Sequence, residues 1–147
     1  MGTATSSQQI LLAEDNQADI GLVRQALLEH KVHGELQVIS DGEGVLRFID
    51  RLDSDVTLPC PDLLLIDLHL PKRDGTEILQ YLRTSKRCRN IPVVALTSSP
   101  AIRGKQHAGN TVQYYFHKPS TLTPFLELGA IVKDVITRSE RSARAIP

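Results

Sequence analysis

Short apolar runs alternate with helix-spaced segments along this chain. Ile10-Leu11-Leu12-Ala13 reads as a first strand and stops at Glu14-Asp15-Asn16. Ile20, Val23 and Leu27 then follow at helical spacing, which predicts an amphipathic helix to about His30. Leu36-Gln37-Val38-Ile39 is a second strand closed by Asp41-Gly42, and Val45, Phe48, Ile49 and Leu52 mark a second helix. Pro59 and Pro61 lie in a loop between Asp53 and Asp62. Leu63-Leu64-Leu65-Ile66 is apolar on both faces, the pattern of a central parallel strand, and it ends on Asp67. Asp74 and Glu77 open a third helix carrying Ile78, Leu79 and Leu82.

Pro92 to Leu96 predicts the fourth strand and Tyr114-Tyr115-Phe116 a short fifth. Between them, Pro100 to Gln113 holds Gly104 and Gly109 and few apolar residues, so the fourth helix is expected to be short or frayed. A last helix runs from about Thr121 to Arg138 on Phe125, Leu128, Val132 and Val135. Strict alternation of strand and helix predicts an α/β fold with a parallel sheet and helices on both faces. Residues 1–8 are expected to be a flexible start, 9–138 one domain, and 139–147 a tail or helix extension.

The composition narrows the function. Seventeen Lys+Arg balance seventeen Asp+Glu, which argues against a nucleic-acid partner. The longest apolar runs, such as Leu63 to Ile66, hold four residues and cannot span a membrane. No secretory leader is visible, so a cytoplasmic location is expected. Cys60 and Cys88 form no ligand cluster and read as two reduced thiols, although their spacing leaves a disulfide open. The five histidines are scattered and form no metal-binding pair.

Chemistry gathers at the strand ends. In an open α/β sheet the crevice beyond the carboxyl ends of the strands is where ligands bind. Glu14 and Asp15 follow strand one, Asp67 strand three, Thr97 strand four and Lys118 strand five. The order 2-1-3-4-5, one of the common doubly wound arrangements, sets strands one and three side by side and brings three carboxylates together. Two like charges about 4 Å apart repel by about 4 kcal/mol at an effective dielectric near 20, so the cluster must take up protons or a cation. Oxygen ligands with room for water and phosphate suit Mg²⁺ or Mn²⁺. With Lys118 and Thr97 opposite, the set is equipped to take a phosphoryl group onto Asp67.

The motifs AEDN at 13–16, LLLIDLHLPKRDG at 63–75, ALTSS at 95–99 and YYFHKP at 114–119 resemble the receiver domain of two-component response regulators. The wording around Asp67 is most similar to stand-alone regulators paired with phytochrome-type histidine kinases. The resemblance implies a flavodoxin-like receiver fold with Asp67 as phosphoacceptor. It implies a metal held by Glu14, Asp15, Asp67 and the backbone carbonyl of His69, with Asp15 the direct ligand of the acidic pair and Glu14 acting through water. Thr97 and Tyr115 become a switch pair, and Lys118 the phosphate-binding lysine before a cis bond to Pro119. The interval from Thr97 to Lys118 is slightly shorter than the family pattern.

The expected partner is a sensor histidine kinase. The output is a protein contact, including a possible homodimer, through the face of the fourth helical segment, the fifth strand and the last helix. No output domain is expected after that helix. Two readings from other classes stand beside this one. A small phosphatase with an aspartyl-phosphate intermediate would need a second acid where His69 stands. A flavin-binding module would need a phosphate-accepting loop where Glu14 and Asp15 would repel it.

Overall fold

The computed structural model describes residues 7–98 and 112–145, with side chains as far as 141. Five strands form one sheet: β1 (Gln8–Ala13), β2 (Gly34–Ile39), β3 (Leu63–Asp67), β4 (Val93–Thr97) and β5 (Tyr114–His117). The strand order is β2-β1-β3-β4-β5, and every neighbouring pair is parallel. Among the described residues four helices accompany it: α1 (Gln17–Glu29), α2 (Gly42–Ser54), α3 (Gly75–Arg83) and α4 (Leu122–Ala145). The fold class and strand order are those the sequence predicts. The fourth helical segment expected between Pro100 and Gln113 lies almost wholly outside the described residues, as do residues 1–6.

Alternation along each strand divides the core into two layers. Ile10, Leu12, Leu63, Leu65, Val94 and Leu96 face α1 and α4. Leu11, Ala13, Leu64, Ile66, Val93 and Ala95 face α2 and α3. All five residues of β3 are buried, because helices cover both of its faces. Helices α1 and α4 approach closely at Gly129, where a Cβ atom would lie 2.2 Å from the carbonyl oxygen of Ala26. That seat holds the last turn of α1 against α4 on one face of the sheet. Helix α4 continues past Arg138 to Ala145, so the stretch after 138 begins as helix rather than tail.

Two expectations are corrected. Cys60 and Cys88 are joined in a disulfide, not held as separate thiols, with their Cα atoms 5.7 Å apart. The parallel register brings the chain entering β3 beside the chain entering β4, an adjacency that sequence spacing does not show. The same two segments are tied by polar groups. The Asp53 carboxylate accepts from Ser85 Oγ at 2.7 Å and from the Arg87 backbone N–H at 3.2 Å. The Arg87 guanidinium donates in return to the carbonyls of Leu52 and Asp55. The second correction is that the Lys118–Pro119 bond is trans, since no cis peptide occurs among the described residues. Trans is the default for X–Pro bonds, and the Lys118 N–H reaches the Thr97 carbonyl at 2.8 Å with the bond in that form.

The disulfide closes a loop with a sequence separation of 28, which in the chain-entropy picture stabilises the fold by about 3–4 kcal/mol. Urea unfolding of oxidised protein should therefore show a higher midpoint than unfolding of protein reduced and alkylated at both cysteines. Coincident curves would contradict the crosslink.

Candidate functional site

Each strand delivers one polar group to the C-terminal edge of the sheet. β1 stays in register one residue beyond Ala13, with the Glu14 N–H donating to the Ile39 carbonyl at 3.1 Å. That bond turns the Glu14 side chain inward, where it is fully buried. Asn16 then caps α1, its side chain accepting from the Asp19 N–H at 3.0 Å. The Asn16 N–H donates to Glu14 Oε2 at 3.2 Å, so one oxygen of that carboxylate is fixed by the cap. Asp15, between them, is exposed.

β3 carries Asp67 to the same place, 5 % exposed. Its Oδ1 accepts from the His69 N–H at 2.7 Å, while the His69 side chain lies at the exposed surface. The loop after Asp67 is pinned by the Gly75 N–H on the Leu68 carbonyl at 3.2 Å and the Gly42 N–H on the Pro71 carbonyl at 3.0 Å. Gly75 is required there, because a Cβ would lie 2.7 Å from Leu68 Cα.

β4 ends at buried Thr97, whose carbonyl accepts from the Lys118 N–H just after β5. The Lys118 ammonium thereby enters the acidic group. Its Nζ lies 2.7 Å from Asp67 Oδ2, 2.8 Å from Asp19 Oδ2 and 2.8 Å from Glu14 Oε1. The contacts with Asp67 and Asp19 are aligned hydrogen bonds. The one with Glu14 is close but not aligned as a hydrogen bond, and among the described residues the buried Glu14 Oε1 has no aligned donor.

The electrostatics follow from burial and from Lys118. Burial raises the pKa of Glu14 to about 7, and the Asp67 carboxylate adds to the rise against the pull of Lys118. Burial also works against ionisation of Asp67. Hydrogen bonds from Lys118 and the His69 N–H outweigh it and hold Asp67 below the ordinary carboxylate range. Burial disfavours the charged form of Lys118 too, but Asp19, Asp67 and Glu14 together raise its pKa well above the usual lysine value.

Carboxylate oxygens of Glu14, Asp15 and Asp67 lie within 4.8 Å of one another. An all-oxygen set, one buried acceptor without a donor and one residue open to solvent fit a hard divalent cation such as Mg²⁺ or Mn²⁺.

The structure thus brings together Glu14, Asp15, Asp67 and Lys118, with Thr97 at the adjoining strand end. Tyr115 is half-buried, paired in register with Ala95 and packed against the α2–α3 layer. Asp19 escaped the sequence reading. The only signal for it is an acidic residue in the first helical turn after the Asn16 cap, which is ordinary at a helix N-terminus.

Glu14 gives a pH prediction. A buried acid whose folded value is raised destabilises the fold once the unfolded chain ionises. The penalty is absent below about 4.5, grows as pH rises, and is fully present above about 7. In chelator, Glu14→Gln should raise Tm more at pH 8 than at pH 5, measured by thermal melts across that range. A gain independent of pH would contradict the burial penalty.

Comparison with known proteins places this geometry. Residues 10–128 match the response regulator receiver domain. Response regulator Rcp1 of Synechocystis sp. is 39% identical over 90 residues, covering 61% of this chain; the match spans 61% of that relative's own length. The crystal structure of the phosphorylated cyanobacterial phytochrome response regulator RcpA superposes with a TM-score of 0.74 at 28% identity, covering 90% of this chain and 96% of that one. The Mn²⁺-bound form of Rcp1 superposes with a TM-score of 0.66 at 30% identity, covering 85% and 91%. With the sheet order, the strand-end residues and these matches in agreement, the chain belongs to the response regulator receiver domain family.

Proposed function

We propose that this chain accepts a phosphoryl group on Asp67 from the phosphohistidine of a sensor histidine kinase of the phytochrome type, acting in the cytoplasm. The observation that carries the reading is the Asp67 carboxylate, buried at the end of β3 and hydrogen-bonded to Lys118 within an acidic cluster. Family membership supports the chemistry, and the likeness to RcpA and Rcp1 supports the choice of kinase.

In this mechanism an Asp67 oxygen attacks phosphorus, a P–O bond forms, and the P–N bond to the kinase imidazole breaks with its electron pair returning to nitrogen. The His69 N–H holds Asp67 Oδ1 and so orients the carboxylate. Lys118 neutralises charge on the transferred group, and the Thr97 hydroxyl donates to one of its oxygens. Glu14, Asp15, Asp67 and the backbone carbonyl of His69 would hold Mg²⁺ or Mn²⁺, which when bound supplies positive charge against the phosphoryl oxygens.

Phosphorylation adds about −1.5 to −2 charges and three acceptor oxygens beside Thr97 and Lys118. Thr97 drawn toward them vacates space for Tyr115 on the next strand to turn inward. The altered face of β5 and α4 is then read by a target protein or a second copy of the chain.

A phosphatase reading finds less support. His69, the residue placed to assist a leaving group, turns its side chain to the exposed surface.

Two outcomes are expected. Incubated with acetyl phosphate and Mg²⁺, the wild-type chain gains one hydroxylamine-labile phosphoryl group by mass spectrometry, and Asp67→Asn gains none. Equal labelling of the variant would remove Asp67 from its role. In phosphotransfer profiling against the histidine kinases of the source organism, a phytochrome-type kinase should label the chain fastest. Faster labelling by a kinase of another sensor class would overturn that choice of partner.

A further inference from the structure

Lys118 is shared, and the sharing is unequal. Its ammonium makes two aligned hydrogen bonds, one to Asp67 on the floor of the site and one to Asp19 on the rim. Both are of ordinary charge-assisted length, 2.7 and 2.8 Å. The Asp67 side chain is 8% exposed and the Asp19 side chain 22%, so the cation bridges from buried to wetter surroundings. Asp19 is not needed there for the helix. The α1 cap uses the Asn16 side chain and the Asp19 backbone N–H, leaving the Asp19 carboxylate free of capping duty. It nonetheless reaches a residue 99 positions away in sequence. The first turn of α1 fixes its place, because Ile20 beside it is buried in the core.

We propose that Asp19 is a positioning residue whose carboxylate shares the Lys118 ammonium with Asp67 and so limits how much of that charge reaches a phosphoryl group arriving at Asp67. The inference rests on the phosphoacceptor reading of Asp67. An incoming dianionic phosphodonor meets Glu14, Asp15, Asp67 and Asp19 with, among the described residues, one lysine between them. Neutralising Asp19 removes one repelling charge and one of the carboxylates that divide the Lys118 ammonium, so more of its charge is left for the incoming group. Phosphodonor affinity then rises, while the attacking carboxylate is unaltered. The effect appears in the donor concentration needed for half-maximal labelling more than in the maximal rate. Because Asp19 is partly solvent-facing, salt screens its contribution.

The test compares acetyl phosphate labelling of the wild-type chain with Asp19→Asn, Asp19→Ser and Asp19→Glu at saturating Mg²⁺, at low and high ionic strength. The two neutral variants should reach half-maximal labelling at donor concentrations on the order of threefold to tenfold lower than wild type, with the gap narrowing at high salt. Asp19→Glu, which keeps the charge, should remain near wild type. Absence of label on the wild-type chain would overturn the phosphoacceptor reading and this inference with it. Labelled wild type, with no lowering of the half-maximal concentration in either folded neutral variant, would overturn the role of Asp19 alone.

Discussion

One ammonium group bridges three carboxylates at the C-terminal edge of the sheet, and the surrounding architecture serves to keep it there. Lys118 follows the last strand, Asp67 ends the central one, and Glu14 and Asp19 flank the turn from β1 into α1. Each charge alone would be costly to bury. Together they form a network in which, among the described residues, one acceptor, Glu14 Oε1, has no aligned donor. An all-oxygen set in that condition fits a divalent cation, which supplies the positive charge the carboxylates lack.

The scaffold explains the precision. β3 is buried on both faces, so Asp67 rests on a strand held by packing on either side. Gly75 lets the loop after Asp67 fold tightly against the start of α3, which places the His69 N–H on the carboxylate. Gly129 lets α4 press against α1, and so fixes the helix that carries Asp19. At the opposite end of the sheet, Asp53, Arg87 and the Cys60–Cys88 disulfide tie the chain entering β3 to the chain entering β4. The edge that binds charge and the edge that is crosslinked are therefore separate.

Much of this was legible in the residues. Runs such as Leu63 to Ile66 announce a buried parallel strand, and Asp67 after it announces the site, because strand ends in such sheets converge. What escaped depends on side chains meeting across long stretches of sequence. Asp19 reads as an ordinary acidic residue at a helix start until Lys118 is seen beside it. Cys60 and Cys88 read as independent thiols until the register of β3 and β4 sets their loops together. The trans Lys118–Pro119 bond departs from what the resemblance implies and has no signature in the residues that carry it.

The most direct test of the account is a crystal structure of the chain with Mg²⁺ and beryllofluoride. Beryllofluoride should sit on an Asp67 oxygen, with Lys118 Nζ in hydrogen-bonding contact with one of its fluorines and the metal against Asp15 and Asp67. Beryllofluoride absent from Asp67, or Lys118 turned away from it, would contradict the claim that this shared ammonium receives the phosphoryl group.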